Sequence, residues 1–315
     1  MTIKSIKWNG EQVSKPGIYS NMPMEAYHAY NICDGPSISS SGLRKIFNES
    51  PAHFYCQWRG NPKAIEPEDA SHFRVGRAVH HLMLGEQFFS KLFAIQPTEW
   101  PDDDGVLKPW HNNRNVCRQW NAARTKEGRA VLTKADVISI RNMVISLEHN
   151  PLVQAGALNG LIERSFFWKS TETGIWLKSR PDSIPGDSGD FVDLKTCQSV
   201  MWNDLLRTVT DRGYVQQGAL VRQAARTLLK IANPTFTLVF VEKKIPYCNR
   251  IVTLKDSDLE RGEKQNKVAL EIFAKCLKDD HWPGPGGDRE DAEYFELSER
   301  AQKDIDEKIE IMRVR

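Results

Sequence analysis

Between residues 162 and 196 the sequence alternates aromatic and branched runs with turn formers, and that alternation leaves the chain little freedom of fold. IERSFFWK (162–169), GIWLKSRPD (174–182) and DFVDLKT (190–196) have the residue content of strands. Glu172-Thr173-Gly174 and Pro185-Gly186-Asp187-Ser188-Gly189 separate them as turns, which predicts three antiparallel strands in a meander. Downstream, Trp202, Leu205, Leu206 and Val209 fall on one helical face, and a second helix from about 214 to 230 turns Val221, Ala224, Ala225 and Leu228 inward. TFTLVFVE (235–242) reads as a buried strand and NRIVTL (249–254) as another. Ser257 and Glu260 then read as a capping box for a helix reaching about Asp280. The order helix, three strands, helix, strand predicts an α/β core.

The segment in front has a different texture. Its first 65 residues are rich in turn formers, with ISSSGLRKIF (38–47) reading as a serine-capped helix and Ser50-Pro51 starting another. Val75, Val79, Leu82 and Met83 mark a helix over 70–84, and Thr133 caps one whose stripe is Val137, Ile140, Val144 and Leu147. Residues 97–113, rich in Pro, Asp and Asn, read as a long loop. After the WPGPGG breaker (282–287), 297–312 reads as a last helix with Ile305, Ile309 and Met312 at helical spacing. The expectation is one domain over 1–315. Its first 160 residues are mostly helical walls around a cleft, 161–285 is the α/β core, and 288–315 holds the C-terminal helix.

Charge and cysteine usage narrow the class. A net charge of +2, from 43 Lys+Arg against 41 Asp+Glu, excludes a polybasic chain that binds nucleic acid by bulk attraction, though local arrangement can still do so. Six scattered cysteines, with no CxxC pair, exclude a zinc ribbon or an iron–sulfur cluster and read as buried small hydrophobes. The longest uncharged stretch is the 14 residues 149–162, shorter than the ~20 that span a bilayer. With no signal-peptide core at the N-terminus, the sequence reads as a soluble cytoplasmic protein without membrane contact.

Chemistry concentrates in Arg180-Pro181-Asp182 and Asp193-Leu194-Lys195. Alternation along a strand points Asp193 and Lys195 to one side and Leu194 to the other. Asp182 ends the preceding strand, which the Gly-rich turn folds back alongside. Two carboxylates and an ammonium thereby meet at the sheet edge. Paired carboxylates are the hard-oxygen ligands of Mg²⁺, with phosphate and water filling its other positions. A lysine beside the metal can orient and deprotonate the attacking water and offset charge on the pentavalent phosphate.

These residues resemble the PD-(D/E)XK nuclease superfamily, and the wider pattern resembles its RecE and lambda-type phage alkaline exonucleases. The resemblance spans roughly 35–285: GPSISSSGLRKIFNESPAHFY (35–55), GRAVHHLML (76–84), ERSFFW and TGIWLKSRPD within 163–182, FVDLKT (191–196) and GYVQQGALV (213–221). Asp193 stands where many members have Glu, and either carboxylate can bind a metal. The resemblance implies the restriction-endonuclease-like core, a central mixed sheet flanked by helices. It further implies an enzyme that digests one strand of duplex DNA 5′ to 3′ and leaves a 3′ single strand for an annealing recombinase. The cofactor would be Mg²⁺, with Mn²⁺ as a substitute and two ions per site. The assembly would be a ring-shaped homo-oligomer, a trimer rather than a tetramer, encoded by a phage or prophage.

Residue roles follow by the same route. Glu163 alone reads as a solvated strand-end charge and His80 as a core histidine; the resemblance places both at the metal, with Asp182, Asp193 and Leu194, and GxxxH selects His80 over His81. Gln217, a polar group on a buried stripe, needs either a structural hydrogen bond or a place in the site, and the resemblance pairs it with Tyr214 as catalytic. ISSSGLRK reads either as simple capping or as an anion site at a helix start; the resemblance makes Ser39, Ser41 and Arg44 a pocket for the 5′-phosphate. Rival readings are an endonuclease of the same superfamily, an iron–sulfur nuclease, disfavoured by the scattered cysteines, and a non-catalytic DNA-end-binding protein, disfavoured by the intact Asp182, Asp193 and Lys195.

Overall fold

The structure, a computed structural model, describes residues 3–65, 71–85, 89–289 and 291–314. Three short strands open it, β1 (Ile6–Lys7), β2 (Gly17–Ser20) and β3 (Ser37–Ser39), with α1 (Met24–His28) before the third. Next come α2 (Ser40–Asn48) and α3 (Pro51–Tyr55), where Ser50 caps by accepting from the His53 N–H. After α4 (Ser71–Met83) and α5 (Phe89–Leu92), the stretch read as a long loop carries β4 (Phe93–Ile95) at its border and a hairpin of β5 (Glu99–Pro101) and β6 (Leu107–Pro109) inside it. Asp102 closes that hairpin, because its carboxylate accepts from the Asp104 and Val106 N–H groups and pairs with Lys108. The part ends with α6 (Asn115–Lys126), β7 (Ala130–Leu132), α7 (Lys134–Glu148) and α8 (Pro151–Gln154), and β7 pairs with β4. Thr133 caps α7 in a box with Asp136, and Ile140, Met143 and Leu147 are buried. Helices make up most of the regular structure of this front part, and its first three strands join a sheet.

The meander forms, but two sheets share it. Its strands are β8 (Leu161–Ile162), β9 (Ser165–Lys169), β10 (Trp176–Ser179), β11 (Ser183–Ile184) and β12 (Asp190–Cys197). β9 and β10 pair in a sheet of order β1-β2-β9-β10-β3. The second sheet adds β13 (Thr235–Glu242) and β14 (Asn249–Thr253) in the order β14-β13-β12-β11-β8. Both runs read as single strands bend between the sheets, one at Glu163 and one at Arg180-Pro181. Glu163 sits at φ +47°, a left-handed conformation that breaks a strand, and Pro181 has no N–H to give a ladder. The Glu163 N–H donates to the Asp182 carbonyl at 3.0 Å and ties the two bends together. The second sheet is mixed: β12 runs parallel to β13 and antiparallel to β11, and β14 is antiparallel to β13.

Helices cover both faces of this sheet. On one side Phe191, Phe236, Leu238 and Phe240 pack in a core with α10 (Tyr214–Ala224), the π-helical turn Ala225–Leu229 and α11 (Asp256–Asp279). On the other, Val192, Leu194, Val239 and Val241 pack with Ala78 and Val79 of α4 and Ile140, Met143 and Leu147 of α7. The helix α9 (Trp202–Asp211) touches the core along one edge only: Leu205 is buried, whereas Trp202 and Leu206 of the expected stripe are exposed. The capping box at Ser257 does not form, because α11 starts at Asp256 from Lys255 and takes Ser257 into its first turn. No residue of α12 (Glu299–Arg313) is buried. Four of the six free cysteines are buried, and no helix among the described residues is long and apolar enough to cross a membrane.

Candidate active site

The site lies where the two sheets part. β11 accompanies β12 only at Ser183 and Val192, so beyond Val192 that edge of β12 has lost its neighbour. Asp182, at the bend, takes the neighbour's place: its Oδ2 accepts from the Leu194 N–H at 2.6 Å. A strand residue turns its N–H and C=O to the same side, so the Leu194 carbonyl faces this notch as well. Its side chain points into the α4 and α7 core. The same alternation leaves Asp193 and Lys195 on the α10 side.

α4 brings the next group. Gly76 faces β12, and a Cβ there would stand 3.2 Å from the Thr196 Oγ1. One turn later His80 Nδ1 lies 3.3 Å from Asp182 Oδ2. From the opposite face, α10 starts at Gly213. Its φ of +61° demands glycine, and so does its close approach to Arg44, where a Cβ would stand 2.8 Å from Cδ. That start sets Tyr214 against Lys195, with Nζ 5.2 Å from the ring centroid. It also sends Gln217 Nε2 to Asp193 Oδ2 at 2.7 Å. The Asp193 carboxylate, 1 % exposed, pairs with Lys195 through the same oxygen. Asp193 Oδ1 and Gln217 Oε1 are buried without a protein partner.

Charge is shared tightly in this cluster. Burial would raise the Asp182 carboxyl, but His80, Lys195 and the Leu194 N–H overcome it and hold it below its ordinary range. Burial and the neighbouring Asp182 charge push Asp193 up. Burial alone would lower His80 and Lys195; Asp182 and Asp193 raise both instead. Lys195 is thus held as an ammonium between the two carboxylates.

Of the residues singled out in the sequence, His80, Asp182, Asp193, Lys195, Tyr214 and Gln217 converge here, with the Leu194 backbone. Glu163 reaches the cluster through its N–H, while its carboxylate lies 3.5 Å from Arg180 Nη1. Arg44 borders the site: it donates to the carbonyls of Ser40 and Arg212, and burial lowers its pKa. The Ser39 and Ser41 hydroxyls bond each other at 2.9 Å, and the Ser39 side chain does not cap α2. Two residues escape a reading of the sequence. Ser40, between those serines, has a buried hydroxyl without a partner. Gln216, fully buried, accepts from Asn48 Nδ2 at 3.2 Å and donates to Asn266 Oδ1 at 3.4 Å, tying α2, α10 and α11 together. Its signal is present, since it is a polar residue inside an otherwise apolar helix.

Residues 39–297 match the family described as PDDEXK-like domain of unknown function (DUF3799). The chain belongs to that family. The restriction-endonuclease-like mixed sheet flanked by helices is its fold, and Pro181-Asp182 with Asp193-Leu194-Lys195 are the residues of this chain whose order reads as PD and DXK. No curated protein matches this PDDEXK-like chain. Among solved structures it is similar to one named "Putative exonuclease" from Eubacterium rectale, at 16% identity and a TM-score of 0.55, covering 83% of this chain and 91% of that one. At that identity the likeness shows the fold. A phage related exonuclease from Haemophilus somnus 129PT aligns at 11% identity and a TM-score of 0.32, covering 78% of this chain and 96% of that one.

PD-(D/E)XK nucleases typically use divalent metal ions, and the donor set here suits one. Among the described residues no three His, Cys, Asp or Glu side chains form a metal cage by themselves. Mg²⁺ does not need one: it keeps several waters and takes one or two carboxylates plus substrate phosphate. Asp182, Asp193 with its unpartnered Oδ1, and the Leu194 carbonyl supply hard oxygens at one notch.

Proposed function

We propose that this PDDEXK-like chain is a Mg²⁺-dependent exonuclease of the RecE and lambda type. In this reading it digests one strand of linear duplex DNA from the end, 5′ to 3′, and leaves a 3′ single strand for an annealing recombinase. Asp193 carries the proposal: a buried carboxylate with one oxygen fixed by Lys195 and Gln217 and the other unpartnered, beside a second carboxylate at an open strand edge.

A bound divalent cation would make water a nucleophile and withdraw charge from the phosphate. Two ions are proposed, with Mn²⁺ able to replace Mg²⁺. The chain's own residues supply the rest. Asp182 and Asp193 would hold the metal, with the Leu194 carbonyl between them. Gln217 fixes the Asp193 carboxylate, and His80 keeps Asp182 ionised. The Lys195 ammonium faces the charge that develops on phosphate and steers the water through its N–H groups. The water oxygen bonds to phosphorus as the bond to the 3′ oxygen breaks, and that oxygen takes a proton. Ser39, Ser41 and Arg44 would receive the terminal 5′-phosphate, which sets the polarity.

The reading includes a ring of three copies rather than four, made by a phage or prophage in its host's cytoplasm. A chain of net charge +2 gains processivity by encircling its substrate, since phosphate contacts alone weaken steeply with salt. Ile305, Ile309 and Met312 of α12, each more than 40% exposed, offer a surface for assembly. Incubation with Mg²⁺ and linear or circular duplex is the test: the linear form is consumed and the circle spared. Duplex labelled at 5′ or 3′ reads the polarity, with 5′ label released first. Cutting of the circle would reject the exonuclease. Light scattering that returns 36 kDa would reject the ring.

A further inference from the structure

A second cluster of cations lies along the first sheet, away from the metal-site residues. Lys178 of β10 is 6% exposed, and its Nζ donates to the Tyr27 carbonyl at 2.8 Å and stands 5.2 Å from that ring's centroid. Arg222, the other buried cation among the described residues, has carboxylate partners in Glu263 and Asp256, and half-buried Lys195 has Asp193. Among the described residues no carboxylate pairs with Lys178 or with the exposed Arg59. An ammonium in the protein interior with only a peptide carbonyl is costly unless an anion completes its shell. Burial, with Arg59 nearby, drives Lys178 down to about 8. Partial desolvation, with the cations Lys178, Arg59 and Arg180, lowers the imidazole of His28, which keeps its contact with solvent.

The surface above this cluster is aromatic. The His28 ring lies 5.1 Å from that of Tyr27. Tyr30, 51% exposed, meets Trp58 edge-on at 5.4 Å, and Arg59 follows Trp58 in the chain. Cations beside exposed aromatic rings form the kind of platform that tracks a single strand, with phosphates on the charges and bases on the rings. Direction supports this. Arg180, two residues beyond Lys178 on the same face, stands over the Tyr27 ring at 4.8 Å, and Asp182 follows two residues later. Lys178 and Asp182 are four residues apart across the bend, so at most about 13 Å of chain separates them.

We propose that Lys178, Arg59, His28, Tyr30 and Trp58 form a subsite that holds single-stranded DNA beside the active site, with a backbone phosphate at Lys178 and a base against Tyr30. The naming of DNA rests on the nuclease reading above; the anion chemistry does not.

Fluorescence anisotropy of labelled oligothymidylate about ten nucleotides long, bound to the full chain in EDTA, tests it. Arg59→Ala and Tyr30→Ala change exposed side chains and should each weaken binding about tenfold; Arg59→Ala should also flatten the log–log salt dependence by about 0.7, one phosphate contact on a single strand. Lys178→Met should do the same if its circular dichroism remains that of the wild type. The His28 imidazole NMR signal should shift on adding oligothymidylate. Unchanged affinity and salt slope in both exposed variants would overturn the subsite, even with wild-type digestion intact. A His28 signal that answers inorganic phosphate but not oligothymidylate would replace the strand with a small anion. Wild-type protein that digests nothing, yet binds oligothymidylate through Arg59 and Tyr30, would sink the nuclease reading and leave the subsite standing.

Discussion

Gln216 and Gln217 are neighbours on one helix, and they belong to opposite kinds of buried polarity. Gln216 sits in an amide network whose members satisfy one another: Asn48 donates to it, it donates to Asn266, and Asn266 Nδ2 returns a bond to the Gln216 carbonyl at 2.8 Å. Gln217 sits in a cluster left incomplete, with its own Oε1 and Asp193 Oδ1 unpartnered. A complete network has nothing further to bind and serves to fix three helices. An incomplete one carries a standing cost that a ligand removes. The difference separates structure from site more sharply than burial does, because both glutamines lie at least partly inside.

Substitutions should divide along that line. Asp193→Asn has the largest effect, a loss of about 10²–10³ in digestion rate, followed by release of end label, while duplex binding in EDTA survives. A residual rate within about threefold of wild type would break the link between the unpartnered oxygen and catalysis. Gln217→Ala removes a hydrogen bond to a proposed ligand and should slow digestion about 10–100-fold, with little change in urea midpoint. Gln216→Ala should do the reverse, costing about 1–3 kcal/mol in urea unfolding while the rate per folded molecule holds. If the two variants exchange phenotypes, the distinction between complete and incomplete networks fails here.

The smallest effect is a pH dependence of the metal-free protein. His80 is raised above 6.5 in the folded state, so its contribution to stability is full below about that pH and fades as pH rises through the raised value. Asp182 works oppositely, present above 3.8 and lost as pH falls through its lowered value. Urea titrations in EDTA should therefore show stability falling on the alkaline side of 6.5 in the wild type, and His80→Gln should flatten that limb. A limb of equal slope in both proteins would free His80 from the cluster.

Much of this is legible in the residues. β12 and β13 follow from their branched and aromatic runs, and the separation of Asp182 from Asp193-Leu194-Lys195 is enough to expect the cluster that these residues form. The division of the meander is not legible, because a left-handed Glu163 leaves no mark in the sequence. For a related reason β1, β2 and β3 are hidden. They complete a sheet whose inner strands lie more than a hundred residues away, and their pairing is set by tertiary contact and not by local propensity. Lys178 gives no signal inside a strand run, where an alternating lysine ordinarily faces water.

The bond from the Leu194 N–H to Asp182 has a practical consequence for anyone who wants an inactive protein. A strand edge without a neighbour invites other chains to pair with it, and edge-to-edge pairing is a route to aggregation. The Asp182 carboxylate closes that edge with a charge and an acceptor together. Under the nuclease reading, removing it should both stop the chemistry and uncover a sticky seam, whereas Asp193 lies on the helix-covered side of the same strand. For co-crystallisation with uncut DNA, the variant expected to stay in solution is thus the one altered at 193, with 182 left alone.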